Sequence, residues 1–93
     1  MYNELMRIEY DPQKAESNLK KHGISFDEAI TTLYDPLALV QEDTESINEK
    51  RWVLIGFSSQ ANLITVIYTL RDEEIIRLIS ARKATRKEAK YYA

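Results

Sequence analysis

Three stretches of the C-terminal half, "RWVLIGFS" (51–58), "NLITVIYTLR" (62–71) and "EIIRLISAR" (74–82), follow one another with only "SQA" and "DE" between them. Each is enriched in β-branched and aromatic residues, the side chains that fit a pleated, half-buried surface. Linkers this short suit antiparallel hairpins, so the three segments read as consecutive strands of one sheet. Within 62–71, Ile64, Val66, Tyr68 and Leu70 share one face, and Leu63, Thr65, Ile67, Thr69 and Arg71 share the other. The second face is half polar, the pattern expected where helices cover only one side of an antiparallel sheet. A shorter strand, "LALVQE" (37–42), precedes them across the polar loop "DTESINEK" (43–50).

The first third of the chain reads differently. Residues 5–10, "LMRIEY", alternate well enough for a first strand. Asp11-Pro12 then opens a helix, because Asp caps free backbone N–H groups and Pro fits the first turn. That helix is expected to run to about His22, with Ala15, Leu19 and Asn18 inward, and to end at "KKHG", where basic side chains meet the negative helix end and Gly23 supplies positive φ. "SFDEAITTLYDP" opens a second helix with Ser25 and Glu28 at capping-box spacing, and Asp35-Pro36 stops it. A second capping-box pattern, Thr85 and Glu88, starts a short helix over 86–93 that is marginal unless docked. The expected order is β-α-α-β-β-β-β-α. It makes a single α+β domain over 1–93: a twisted, mostly antiparallel sheet with two N-terminal helices packed on it and a short C-terminal helix.

Composition narrows the chemistry. With 93 residues, 44% of them hydrophobic, the chain can build one core. No Cys and a single His exclude disulfides, thiolate metal sites and cysteine nucleophiles, and leave a dedicated metal site to carboxylates. No apolar run approaches the roughly 20 residues of a membrane span, and the N-terminus lacks signal-peptide character, so a soluble, cytoplasmic protein with no membrane partner is expected. The net charge of −2 hides an asymmetry: residues 75–93 carry six basic side chains against one acid, and the rest carries seven against fourteen. Such a split marks either a nucleic-acid footprint or a solvated charged helix.

Taken together, these segments resemble the BrnT family of bacterial type II toxins, small ribonucleases with a RelE-like fold. The resemblance begins in "IEYDPQKAESNLKKHGISFDEA" (8–29), with its Asn-x-x-Lys-His-Gly. It continues through Asp35-Pro36 and through Glu49-x-Arg51 ahead of a strand ending in Gly56. It closes in "VIYTLRDEEIIRLISARKATRKEAKYY" (66–92), with Tyr-Thr-x-Arg and Arg-x-Ile-Ser-Ala-Arg. Tyr10 stands where Trp is common, and the 43–48 loop has no counterpart. The resemblance implies RNA cleavage without a metal or other cofactor, by attack of the ribose 2′-OH on its own phosphodiester, inhibiting translation. It also implies neutralisation by a cognate ribbon-helix-helix antitoxin of the BrnA type, with operator DNA bound only through the toxin–antitoxin complex.

That reaction needs a proton acceptor, cations on the phosphate and an acid for the leaving 5′ oxygen. Arg71, Arg77 and Arg82 are the phosphate clamps such chemistry favours, because the guanidinium fork makes paired hydrogen bonds and stays charged. The alternative for all three is cross-strand pairing with Asp72, Glu73 or Glu49. Arg77 and Arg82 are an odd number of residues apart, so they share a face only if a bulge intervenes or Arg82 lies past the strand end. His22, the only imidazole, is a candidate base or acid, or else a helix-end cap. Lys21 beside it binds phosphate or is a solvated helix end. Glu49 is a candidate base with Arg51 supporting it or the phosphate; the alternative is a hairpin salt bridge. Trp52 reads as sheet packing. Lys83, Arg86, Lys87 and Lys90 fall roughly on one helical face and are expected to contact RNA, Lys83 and Arg86 foremost. A non-catalytic nucleic-acid-binding or partner-binding module is the competing reading.

Overall fold

Hydrogen-bonded hairpins set the frame. A computed structural model describes residues 7–92; residues 5 and 6 of the expected first strand, and Ala93, lie outside the described residues. The elements are β1 (Arg7–Glu9), α1 (Pro12–His22), α2 (Phe26–Thr31, continued by a 3-10 turn, Thr32–Tyr34), β2 (Leu39–Asp43), β3 (Arg51–Phe57), β4 (Leu63–Arg71), β5 (Ile75–Lys83) and α3 (Arg86–Tyr91). This is the order expected from the sequence. The five strands form one sheet in the order β1-β5-β4-β3-β2. All neighbours are antiparallel except β1, which runs parallel to β5.

The turns explain the registers. Asp72 and Glu73 both adopt positive φ (53° and 61°), and the Glu74 N–H donates to the Arg71 carbonyl at 3.2 Å. A two-residue turn of this hand matches the strand twist. At the β3–β4 turn Ala61 takes the left-handed position (φ 63°), a place where glycine is cheaper.

One face of the sheet carries the core. Leu54, Ile64, Val66, Tyr68, Ile76, Leu78 and Ala81 meet Ile24, Phe26, Ala29 and Leu33 from the helix layer, all buried. Trp52 packs half-buried against the same cluster. Asp11 caps α1 by accepting from the Gln13 N–H, and Gly23 at φ 72° ends it by donating to the Leu19 carbonyl. Asn18 is the anchor of α1. Its side-chain amide donates to the carbonyls of Ile24 (2.9 Å) and Ala81 (2.8 Å), and its oxygen accepts from the Ala81 N–H. It thereby satisfies the stretch of β5 that lies beyond short β1, where an edge backbone would otherwise stand unpaired.

Four local expectations need correction. Leu19 points out, 49% exposed, because Asn18 and Ala15 make the contact stripe. Ser25 does accept from the Glu28 N–H, but Glu28 does not return the bond. Its carboxylate accepts from Ser58 and Asn62, each at 2.7 Å, and so ties α2 to the β3–β4 turn. The sheet face away from α1 and α2 is not bare, since α3 lies across it. Lys83 ends β5 opposite Ile64, on the helix-bearing side, and so does not share a helical face with Arg86, Lys87 and Lys90.

Candidate functional site

The pairing of β4 with β5 decides where the arginines point. Ile67 lies opposite Ser80 and Tyr68 opposite Leu78, so Ile79 is an extra residue on β5. A bulge of this kind shifts the alternation by one. Arg77 consequently faces the same side as its partner Thr69, and Arg82 the same side as Thr65. Thr65 and Thr69 are four apart on a regular strand, so both arginines lie on the face away from α1 and α2. Their separation along the sheet is four strand steps, about 13 Å.

At one end of this face a row of side chains crosses the sheet. Asp43 pairs with Arg51; one step beyond Trp52–Tyr68, Arg51 comes beside Thr69; Thr69 pairs with Arg77, and Arg77 with Glu9. Thr69 is buried, and its hydroxyl donates to the Lys50 carbonyl at 2.8 Å, fixing the start of β3 against β4. Arg71 lies two residues along β4 on the same face. Glu9 Oε1 accepts from Arg77 Nη1 at 3.0 Å and lies 3.9 Å from Arg71 Nε, while Glu49 Oε1 lies 3.8 Å from Arg51 Nε. The Arg51 and Arg71 contacts are long and exposed, the kind worth about 0–1 kcal/mol. These guanidiniums are therefore available to an incoming anion.

At the other end Arg82 is engaged. Nη1 and Nη2 donate to the two carboxylate oxygens of Glu88 at 2.7 and 2.9 Å. Glu88 Oε1 also accepts from the buried Thr65 hydroxyl and from the Thr85 N–H, while the Thr85 hydroxyl accepts from the Glu88 N–H. The bond from Arg82 holds the Glu88 carboxyl down at about 2 against the opposing effect of burial, with the Thr85 and Thr65 bonds adding to the lowering. Arg82 in turn is raised, chiefly by its bonds to Glu88. This latch fixes the start of α3, no residue of which is buried. A second latch follows it. The Tyr92 hydroxyl donates to Asp35 at 2.6 Å and its ring meets Phe57 edge-on at 5.1 Å. That bond pushes Tyr92 up to about 12. Burial works against ionisation of Asp35, yet the bonds from Tyr92 and from the Phe57 and Leu37 amides hold it below its ordinary value.

The sequence-predicted residues thus fall into two groups. Glu49, Arg51, Arg71 and Arg77 come together at one end. Arg82 shares their face but sits at the opposite end, in the α3 latch. His22 and Lys21 belong to that opposite end too. Helix α1 starts just after Glu9, the partner of Arg77, and has reached Ala81 by Asn18. Its last turn therefore lies beyond Ala81, on the helix-bearing side. Lys83, on that side, and Arg86, at the start of α3, are exposed at this same end. Arg77 pairs with none of the acids proposed from sequence; its partner is Glu9, which the sequence reading did not single out. The signal was present in "RIEY", where alternation sends Glu9 to the face opposite Ile8 and Tyr10. Among the described residues no group of three or more His, Asp or Glu is placed to hold a metal ion.

Comparison with known proteins supplies the frame for this geometry. The family described as "Ribonuclease toxin, BrnT, of type II toxin-antitoxin system" matches residues 10–88. The chain belongs to the BrnT family. The match begins just after β1 and takes in both N-terminal helices, Arg51, Arg71 and Arg77, and the chain as far as Glu88. The crystal structure of the Brucella abortus ribonuclease toxin BrnT is similar over 87% of this chain and 99% of that one. Its TM-score is 0.67, at 28% sequence identity. The α+β fold with its five-stranded mixed sheet and three helices is that of BrnT. No curated protein sequence matches. As a family, BrnT proteins are ribonuclease toxins of toxin–antitoxin systems, which implies RNA as target and an antitoxin as partner. No described helix is long and apolar enough to cross a membrane.

Proposed function

We propose that this chain is a metal-independent endoribonuclease that inhibits translation by cutting RNA in the cytoplasm. The observation that carries the reading is the cluster of Arg51, Arg71 and Arg77 on one exposed sheet face, with Glu49 beside Arg51. The three guanidiniums hold the scissile phosphate and take up the charge that builds on its oxygens. Glu49 accepts the 2′ proton as the 2′ oxygen bonds to phosphorus. The phosphorus–5′ oxygen bond breaks, and the departing oxygen is protonated from solvent at this open site. Lys21, Lys83 and Arg86 contact flanking phosphates, and Arg82 acts through α3. A ribbon-helix-helix antitoxin neutralises the enzyme, and the complex binds operator DNA through the antitoxin.

Induced expression in bacteria, with RNA analysis, tests the proposal on the wild type, Arg77→Ala and Arg82→Ala. The wild type arrests growth and cleaves RNA; Arg77→Ala loses both; Arg82→Ala loses activity in proportion to lost folded protein. Absence of RNA cleavage by the folded wild type refutes the enzyme reading. Salt-sensitive RNA binding without scission then favours a non-catalytic binding module. An adjacent reading frame encoding a small ribbon-helix-helix protein that restores growth on co-expression supports the partner assignment.

A further inference from the structure

Among the described residues, Glu9 is the one acidic side chain within reach of two arginines of the cluster, and strand pairing delivers it there. Strand β1 is three residues long and lies at the sheet edge, yet it is held by its backbone pairing and by its inward side chains. Its backbone pairs in register with Ile75–Arg77, and the Arg7 N–H donates to the Glu74 carbonyl at 3.0 Å. Ile8 packs on the core, and Tyr10 meets Phe26 edge-on at 5.3 Å while its hydroxyl donates to Asp27. With its neighbours held inward, Glu9 is presented to the arginine face in one place.

A single oxygen, Oε1, does the bridging: 3.0 Å from Arg77 Nη1 and 3.9 Å from Arg71 Nε. Two guanidiniums on neighbouring strands repel each other, and a carboxylate that hydrogen-bonds Arg77 and lies in ion-pair range of Arg71 offsets that repulsion. Only one nitrogen of each arginine is used, and the remaining N–H groups bond to no described residue. Each fork is left with paired donors for a phosphate.

We infer that Glu9 is a positioning residue: it holds Arg71 and Arg77 as a pre-set pair for the scissile phosphate and passes no proton itself. This rests on the ribonuclease reading for its catalytic consequence, though not for the pairing. Positioning accounts for large shares of rate where a misplacement of about 1 Å can cost 100-fold. Exposed ion pairs contribute little to stability, so the two effects separate in experiment.

The test compares wild type, Glu9→Gln and Glu9→Asp on a single-stranded RNA oligonucleotide. Side-chain nitrogen NMR of Arg71 and Arg77 is recorded in parallel. Glu9→Gln should lower kcat at least tenfold, with KM unchanged or lower because the site gains net positive charge. The pH–rate profile should keep its shape, the melting temperature should hold within a few degrees, and the arginine signals should become motionally averaged. Glu9→Asp should restore part of kcat. A smaller loss of kcat, a lost acidic limb in the profile, or arginine signals as ordered in Glu9→Gln as in wild type would overturn the inference. If the wild type cleaves no RNA, the ribonuclease reading fails and the NMR comparison alone decides for or against Glu9.

Discussion

The latch at the start of α3 makes a pH-dependent prediction that can be worked through. Glu88 holds a folded-state value of about 2 against an ordinary 4.5. Taken at face value, such a shift corresponds to about 3.4 kcal/mol. The Arg82 side chain is 36% exposed and Glu88 20%, so solvent screening reduces this to about 1–2 kcal/mol. Because the folded value lies below the unfolded one, the contribution is complete above about pH 5 and disappears as pH falls toward 2. Replacing Glu88 by Gln keeps an acceptor for Thr85 and Thr65 but removes the charge that Arg82 binds. At pH 7 the variant should therefore be less stable by about 1–2 kcal/mol, a lowering of the melting temperature by about 5–15 °C for a domain of this size. By pH 2.5 the gap should shrink to about a quarter of its neutral value. Urea unfolding followed through Trp52, the only tryptophan, measures it. A gap that stays constant from pH 7 to pH 2.5, or one near zero at pH 7, would refute the assignment of stability to this pair.

The remaining predictions separate the two ends of the sheet from each other and from the helix layer. Arg77→Ala should lower RNA cleavage about 100-fold or more with little change in melting temperature. Arg82→Ala should cost about 2–3 kcal/mol by stranding Glu88, while cleavage per folded molecule falls less than tenfold; urea titration and rate measurement on the same samples decide. Asn18→Ala should destabilise by about 2–3 kcal/mol in urea, because it strands the Ala81 N–H and carbonyl and the Ile24 carbonyl. Ala61→Gly should stabilise by about 0.5–1 kcal/mol, since alanine at φ 63° bears a left-handed strain that glycine lacks; a higher urea midpoint at unchanged slope checks it.

What was legible in the sequence is what short-range rules govern. Linkers of two and three residues dictated hairpins, alternation in 62–71 assigned both faces of β4, and Asp11-Pro12 and Gly23 bounded α1. The misses lie where a residue satisfies one local rule and is claimed by a distant partner. Glu28 fits a capping box, but Ser58 and Asn62, 30 and 34 residues away, offer its second oxygen better hydrogen bonds. Glu88 completes its box and reaches back to Arg82 and Thr65 as well, which brings α3 onto the face expected to be bare. The Arg77–Glu9 pair spans 68 residues and follows from β1 docking parallel at the sheet edge, a pairing no hairpin rule anticipates. The bulge at Ile79 has no marker either, for "RLISAR" contains neither Gly nor Pro.

That bulge changes what the C-terminal excess of basic residues means. A regular β5 would turn Arg77 and Arg82 to opposite faces, one of them into the helix layer. With the extra residue both emerge on one face, and each meets a carboxylate there, Glu9 or Glu88. Two of the six positive charges in residues 75–93 are then locally balanced, at the arginines. The four other cations, Lys83, Arg86, Lys87 and Lys90, are exposed and have no ion pair among the described residues. On the proposed function, a polyanion approaching from solution is drawn first to them, and at close range the arginines at the far end take phosphate with the N–H groups that Glu9 leaves free. Salt should therefore weaken association through the lysines and Arg86 much more than it slows the step after binding. On that proposal, steering gathers around α3 and chemistry lies about 13 Å away along β5, on a face that both arginines reach only because of the bulge.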